Sequence, residues 1–192
     1  MTKDNVLILG GGARERIIYK KLEGNNVFFY TGNDFSEVIR ICNEKAISIV
    51  IPGSEAYLCA GITDYILSET TNIEVFGPTK EQAMLEGSKN YSKITMNDLD
   101  LPTALFKYYK SCSDLLDVLE GCSNEEISKI VIKYNGLAKG KGVYLPNNKE
   151  EAFKSIAELY NTNKNTFASY TATVLSRLLY SIGILSSNLE YG

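Results

Sequence analysis

The sequence predicts an α/β protein in which a doubly wound parallel sheet is followed by a smaller α+β domain. Short apolar runs alternate with amphipathic segments in the first 78 residues, which is the pattern of a parallel sheet covered by helices. From about residue 103 the predicted order changes to strand, helix, strand, strand, helix. A chain of 192 residues is long enough to form two such domains, each with its own core.

The first domain, residues 1–78, has four predicted strands. They are VLIL (6–9), VFFY (27–30), ISIVIPG (47–53) and IEVFGP (73–78). Each run is short and ends in a turn segment, as is typical of buried parallel strands. Helices are predicted from about Arg14, over FSEVIRICNEK and over AYLCAGITDYILSET, because apolar residues recur there at helical spacing.

Residues 79–102 are predicted to form a helical linker, because Thr79 and Gln82 have the spacing of a capping box. Residues 103–160 are predicted as the smaller domain, with strands at ALFKYYK, KIVIKYN and GVYLP and helices at CSDLLDVLEGC and KEEAFKSIAELY. The tail, 161–192, is rich in serine, threonine and asparagine. Its apolar segment VLSRLLYSIGIL is a candidate helix, and its place in the fold is left open.

Composition narrows the classes of function. The formal net charge of −3 argues against a general nucleic-acid or membrane-surface binder, because these proteins need an excess of positive charge. The chain has no histidine, which excludes His-based nucleophile triads and His-ligated zinc sites. Its four cysteines show no CxxC spacing and are expected as reduced thiols. No apolar run has the length of a signal sequence or membrane span, so the expected location is the cytoplasm.

The segment GGGARE follows the first predicted strand. A nicotinamide site is not favoured, because the dinucleotide fingerprint needs a glycine where Glu15 stands and the second strand does not end in an acidic residue. A phosphate site is the functional interpretation, since Gly10 and Gly12 permit a tight turn before a helix N-terminus and Arg14 can contact a phosphate. A tight turn without a ligand is equally compatible with these residues.

Ser54 and Glu55 follow the third predicted strand. They stand at the carboxyl edge of the sheet, where ligands bind in this fold class. Taken alone, the same two residues are also typical of a surface helix cap.

The local motif that most specifically predicts ligand binding is NGLAKGKGV (135–143), a loop between two predicted antiparallel strands. Its glycines and lysines are Gly136, Gly140, Gly142, Lys139 and Lys141, with Lys133 in the preceding strand. A loop rich in N–H donors, flexible backbone and positive charge predicts a lid over a polyphosphate. Its spacing is not that of a Walker A loop. The alternative is a flexible hairpin with ordinary surface lysines.

Five segments, in this order, carry a resemblance to a known family: GGGARER, PGSEAYLCAGI, VFGPTKEQAMLEGSKNYSK, LPTA and VIKYNGLAKGKGV. Together they resemble phosphoribosylamine–glycine ligase (glycinamide ribonucleotide synthetase), of the ATP-grasp superfamily. The resemblance runs from Val6 to about Leu159. It implies that the first domain is the substrate domain preceding the ATP-grasp fold and that the second is the ATP-grasp lid subdomain. The C-terminal ATP-grasp subdomain is expected to be absent.

The resemblance implies an ATP-dependent ligation in purine biosynthesis. In such enzymes ATP and Mg²⁺ activate glycine as an acyl phosphate, and the amine of 5-phosphoribosylamine attacks it to give glycinamide ribonucleotide. The resemblance assigns the ATP phosphates to Lys89, Lys133 and the lid at 136–142. It assigns the phosphoribosylamine side to Gly10, Gly12, Arg14, Asn33 and Glu55. No catalytic side chain is assigned, because this chemistry needs positioning and charge neutralisation.

The sequence departs from the family pattern at several positions. Arg16 stands where the family usually has histidine, Ser54 and Tyr57 where it has proline, and Tyr134-Asn135 where it has Ala-Asp. No Glu-Glu-x-Leu-x-Gly-x-Glu segment is present, so the Mg²⁺ ligands are expected to lie outside this chain. The alternative function is therefore an inactive module that binds nucleotide or sugar phosphate, or part of a split assembly. The expected partners are small molecules, with neither nucleic acid nor membrane among them.

Overall fold

The computed structural model describes residues 3–138, 140–162 and 170–174. The chain divides into two compact units, 1–87 and 88–192. The first contains a parallel sheet and the second an antiparallel sheet, each with helices, so the predicted fold class is confirmed. The finer division at residues 78, 102 and 160 stays a prediction.

Strands and helices alternate along the first unit. The strands are β1 (Asn5–Leu9), β2 (Asn26–Tyr30), β3 (Ile49–Pro52) and β4 (Glu74–Val75). The helices are α1 (Ala13–Lys21), α2 (Phe35–Glu44), α3 (Glu55–Ala60), α4 (Ile62–Glu69) and α5 (Lys80–Gly87). The sheet order is β2-β1-β3-β4 and every pair is parallel. The carboxyl ends of β1, β2 and β3 consequently lie at one edge.

The core of the first unit is built around β1. Leu7 and Leu9 share one face of this strand because side chains alternate along it, and both are fully buried. They belong to one hydrophobic cluster with Val38 of α2 and with Ile62 and Ile66 of α4. The strand is apolar on both faces, as expected for the centre of a parallel sheet.

Two elements of the first unit differ from the prediction. The helix predicted over AYLCAGITDYILSET divides at Gly61, because that residue has a φ of 93° and the left-handed conformation ends α3 before α4 begins. The strand predicted over 73–78 pairs with β3 only at Glu74–Val75. The predicted capping box is confirmed: Thr79 N–H donates to Gln82 Oε1 at 3.0 Å and Gln82 N–H donates to Thr79 Oγ1 at 3.3 Å.

The second unit has an antiparallel sheet of order β5-β8-β6-β7. Its strands are β5 (Lys107–Tyr109), β6 (Ile130–Tyr134), β7 (Val143–Tyr144) and β8 (Tyr170–Val174). Its helices are α6 (Lys89–Asp98), α7 (Cys112–Gly121), α8 (Asn124–Ile127) and α9 (Lys149–Thr162). α8 and β8 were not predicted, and β8 lies between β5 and β6. The candidate helix VLSRLLYSIGIL begins at Val174, and the rest of that segment lies outside the described residues.

The core of the second unit forms where the sheet meets its helices. Ile132 and Tyr134 of β6 cluster with Leu115 of α7 and Ile156 of α9, all of them buried. Tyr109 of β5 joins this cluster, and burial raises the pKa of its phenol to about 12. Among the helices of the described residues, none has the length and apolar character that crossing a membrane requires.

Two adjacent residues of α4 allow a matched test of the first core. Ile66 is 0% exposed and Leu67 is 51% exposed. We expect Ile66→Ala to lower the free energy of unfolding by about 2–5 kcal/mol, because it removes buried apolar surface and leaves a cavity. Leu67→Ala is expected to change it by less than about 1 kcal/mol. Urea unfolding of both variants measures the difference, and equal losses would contradict the placement of α4 on the sheet.

Candidate functional site

A cavity of about 790 Å³ lies at the carboxyl ends of β1, β2 and β3. Its walls are residues 10–15 after β1, then Thr31, Asn33 and Phe35 after β2, then residues 53–57 and Ala60 after β3. The residues assigned by resemblance to the sugar-phosphate side all line it: Gly10, Gly12, Arg14, Asn33 and Glu55. The structure therefore brings these five together, while their role in binding stays a prediction.

The N-terminus of α1 forms one wall of this cavity. Gly12 is the N-cap residue, and no side chain caps the first turn. Helix N-termini present N–H groups and a partial positive charge to an anion. Arg14 adds a cation: its Nη1 donates to the Gly53 carbonyl oxygen at 2.8 Å and to Glu55 Oε2 at 3.2 Å. The Arg14 side chain is 67% exposed, so this ion pair contributes little to stability, and its charge remains accessible from solvent.

The turn after β3 caps a helix and also lines the cavity. Ser54 is the N-cap of α3, and its Oγ accepts a hydrogen bond from Ala56 N–H at 3.2 Å. Ser54 and Glu55 also line the cavity. The cap interpretation is therefore confirmed, and it leaves the functional interpretation open.

Two tyrosine hydroxyls hold the segment that carries Asn33. The Tyr57 hydroxyl donates to the Gly32 carbonyl oxygen at 2.8 Å. The Tyr30 hydroxyl donates to the Asp34 carbonyl oxygen at 3.0 Å and accepts from Asp34 N–H at 3.1 Å. Burial, together with the nearby Tyr30 and Glu15, raises the pKa of Tyr57, so its hydroxyl stays protonated and can donate. Sequence reasoning missed the role of Tyr57, because Tyr57 and Gly32 lie 25 residues apart in the chain.

The glycine-rich loop of the second unit connects β6 to β7, which pair antiparallel as predicted. Tyr134 N–H donates to the Gly142 carbonyl oxygen at 2.8 Å, which closes the hairpin. Gly140 has a φ of 78°, a conformation that favours glycine. A Cβ at Gly136 would lie 2.9 Å from Tyr134 Cε1, so the loop backbone packs directly on that ring. Lys141 is exposed, and Lys139 lies outside the described residues.

The N-terminus of α6 is bonded to the start of this loop. Asn135 Oδ1 accepts from Asn90 N–H at 2.8 Å and from the Ser88 hydroxyl at 3.1 Å. Lys89 N–H donates to the Asn135 carbonyl oxygen at 3.0 Å, and Lys89 Nζ donates to the Gly136 carbonyl oxygen at 3.1 Å. The structure therefore places Lys89, which was assigned to ATP by resemblance, against the glycine-rich loop.

Lys93 of α6 lies within electrostatic reach of Lys133 in β6. Burial, followed by the charge of Lys133, lowers the pKa of Lys93. Lys93 Nζ donates to Thr103 Oγ1 at 2.6 Å and to the Ala104 carbonyl oxygen at 3.0 Å. Lys93 was not identified as a site residue from the sequence. Its position four residues after Lys89 on the same helix could have indicated it, because residues at that spacing share one helix face. Clustered amines of this kind attract a polyanion.

The described residues hold no group of three or more Cys, Asp or Glu side chains arranged to bind a metal ion. No ligand for Mg²⁺ is therefore assigned in this part of the chain.

Two family models match the chain. The model for the N domain of phosphoribosylglycinamide synthetase matches residues 4–86, and the model for its ATP-grasp (A) domain matches residues 87–180. The chain belongs to the phosphoribosylglycinamide synthetase family. The match continues to residue 180, so the expectation that the similarity ends near Leu159 was wrong. The segment that forms β8 lies inside the matched region.

Relatives show how much of a phosphoribosylglycinamide synthetase this chain represents. Phosphoribosylamine–glycine ligase of Fusobacterium nucleatum is 32% identical, in a match that covers 93% of this chain and 45% of that protein. A bifunctional purine biosynthetic protein of Pichia angusta is 32% identical, in a match that covers 83% of this chain and 22% of that protein. The crystal structure of phosphoribosylamine–glycine ligase from Thermotoga maritima matches with a TM-score of 0.63 and 28% identity, covering 89% of this chain and 44% of that one. The chain thus spans less than half the length of these relatives and matches their N-terminal part.

The Tyr57 hydroxyl provides a test of how the Asn33 segment is held. We expect Tyr57→Phe to lower the free energy of unfolding by about 1 kcal/mol, because the Gly32 carbonyl loses its donor. Tyr19→Phe is the matched control, since Tyr19 is 50% exposed, and it should change stability by less than about 0.5 kcal/mol. Chemical unfolding measures both variants. A loss no larger for Tyr57→Phe than for the control would show that the hydroxyl does not hold the segment.

The Asn135 side chain allows a second test, on the other unit. Asn135→Ala should lower stability by about 1 kcal/mol, because the N–H of Asn90 and the hydroxyl of Ser88 lose their common acceptor. Asn135→Asp keeps a carboxylate oxygen in that position and should recover most of the loss. Thermal unfolding compares the two variants with the original chain. Equal destabilisation by alanine and aspartate would contradict the capping role.

Proposed function

We propose that this chain supplies the 5-phosphoribosylamine site and the ATP-phosphate lid of a phosphoribosylamine–glycine ligase. The observation that carries the proposal is the convergence, in a member of this family, of the segments after β1, β2 and β3 on one cavity. Two of the three named relatives are phosphoribosylamine–glycine ligases, and the N-domain and ATP-grasp models of the family match this chain in that order.

The charges of the cavity suit a sugar phosphate. The guanidinium of Arg14 provides the positive charge that a phosphate group needs, and no side chain caps the first N–H groups of α1 beside it. Asn33 and Glu55 line the same cavity and offer amide and carboxylate oxygens to the hydroxyl groups of a ribose. A ligand with phosphate at one end and hydroxyl and amine groups at the other matches this distribution.

The hairpin of the second unit suits the phosphates of ATP. Lys89, Lys93 and Lys133 place amines near its base, and the backbone of the loop can approach a ligand closely at Gly140. The homologues are ATP-dependent ligases. The resemblance implies that ATP activates the carboxylate of glycine as an acyl phosphate, which the amine of phosphoribosylamine then attacks, with release of phosphate. A protein accelerates reaction steps of this kind by orienting the reactants and neutralising phosphate charge. The side chains described here are assigned to those two tasks, and no step is assigned to a metal ligand.

The lysines of the hairpin test the nucleotide part of this proposal. We expect Lys133→Ala and Lys141→Ala each to weaken binding of a non-hydrolysable ATP analogue by about 10-fold or more, because each removes a charge-assisted contact to phosphate. Lys129→Ala is the control, since Lys129 is bonded to Glu125 at 2.7 Å on the surface of the same unit. Isothermal titration calorimetry with and without Mg²⁺ measures the affinities. Unchanged affinity in both variants would exclude the lid function.

A turnover assay separates the ligase from the alternative binding module. Phosphate release from ATP that requires both glycine and phosphoribosylamine would establish ligation by this chain. Binding of the ATP analogue without such turnover would favour a nucleotide- and sugar-phosphate-binding module or part of a split assembly. ATP, glycine and phosphoribosylamine are the proposed small-molecule partners. The predictions that nucleic acid and membrane are not partners, and that the location is cytoplasmic, are unchanged.

A further inference from the structure

Glu15 lies at the bottom of the cavity in the first unit. Its side chain is 5% exposed, and it is the one charged residue that is buried among the described residues. It occupies the first turn of α1 and lines the cavity together with Arg14 and Glu55. In the sequence, Glu15 was notable only because it stands where a dinucleotide fingerprint has its third glycine.

The carboxylate of Glu15 is enclosed by the glycine turns after β1 and β3. A Cβ at Gly12 would lie 2.8 Å from Glu15 Oε2, and a Cβ at Gly10 would lie 3.1 Å from Oε1. A Cβ at Gly53 would collide with Oε1. Both turns therefore approach Glu15 so closely that they leave no room for side chains. Its carboxylate is fixed in position at the point where two ligand-facing turns meet.

Nothing within the described residues pairs with this carboxylate by a hydrogen bond or ion pair. Arg14, the cation of the cavity lining, bonds instead to the Gly53 carbonyl and to Glu55. A buried carboxylate that has lost water without gaining donors is costly. Among the described residues, only Thr63 Oγ1 is a buried side-chain oxygen that lacks both a hydrogen-bond partner and contact with solvent. The oxygens of Glu15 are not in this class. The Glu15 oxygens are therefore reachable from the cavity, where a ligand can supply donors.

We propose that Glu15 is the hydrogen-bond acceptor for hydroxyl or amine groups of the bound ligand, and that it selects a hydroxylated sugar phosphate over phosphate alone. This inference rests on the proposed function, because it concerns the same cavity. The carboxylate lies beside Gly12 and repels an anionic group, so the phosphate is directed toward the guanidinium of Arg14. A ligand without donors leaves the buried carboxylate unpaired, and a site with this property discriminates strongly against such a ligand.

Binding of two probes to the full chain tests the assignment. Ribose 5-phosphate carries both sugar hydroxyl groups and a phosphate group, and inorganic phosphate carries the phosphate without the sugar hydroxyls. We expect Glu15→Gln to weaken ribose 5-phosphate binding by about 10-fold or more, and to leave phosphate binding unchanged or slightly tighter because a negative charge is removed. Glu23→Gln, at an exposed position just after α1, is the matched control and should alter neither affinity. Calorimetry measures both.

The outcomes separate the two proposals. If Glu15→Gln binds ribose 5-phosphate as the original chain does, or loses both probes equally, the role of Glu15 is wrong and the proposed function stands. If the original chain binds neither probe, both proposals fail. If Glu15→Gln does not fold, Glu15→Asp replaces it, because aspartate keeps the charge and withdraws the carboxylate by one methylene. That variant should also lose ribose 5-phosphate and keep phosphate, and unchanged affinity for both would overturn the assignment.

Discussion

The parallel pairing of β1 with β2 and β3 determines where the first unit can bind a ligand. The register aligns Leu9 with Tyr30 on one side and with Pro52 on the other, so the three strands end at the same level. Backbone bonds continue the alignment by one residue, from Gly10 N–H to the Tyr30 carbonyl at 2.8 Å and from Gly53 N–H to the Leu9 carbonyl at 2.9 Å. A shift of one residue in either pair would turn the buried faces outward and separate the turns that form the cavity.

The second unit positions its candidate site by a different device. Its glycine-rich loop leads into β7, an edge strand of only two residues. The backbone pairing of so short a strand would hold the loop only weakly. The loop is held instead by the N-terminus of α6, through the side chain of Asn135 and the amine of Lys89. The helix N-terminus and the glycine-rich loop are thereby joined in one hydrogen-bond network. The resemblance leads us to expect aspartate at position 135, and asparagine provides the same kind of oxygen acceptor.

Local patterns in the sequence predicted most of the elements, and non-local contacts account for what was missed. The capping box at Thr79 and the glycine turns are encoded in adjacent residues, so they could be recognised directly. β8 could not, because its place between β5 and β6 depends on partners about 40 and 60 residues away. For the same reason motifs identified Arg14 and Glu55, while the burial of Glu15 and the reach of Tyr57 to Gly32 emerge only when distant turns meet.

The contact between Tyr57 and Gly32 also limits how this chain can exchange residues with its relatives. Proline, the residue that the family resemblance leads us to expect at position 57, carries no hydroxyl and cannot donate to the neighbouring turn. A relative with proline there must anchor that turn through some other group. We therefore expect that exchanging the Tyr57 segment alone for one with proline leaves the turn at Gly32 without its anchor, whereas exchanging the turn alone keeps a backbone carbonyl for the Tyr57 hydroxyl.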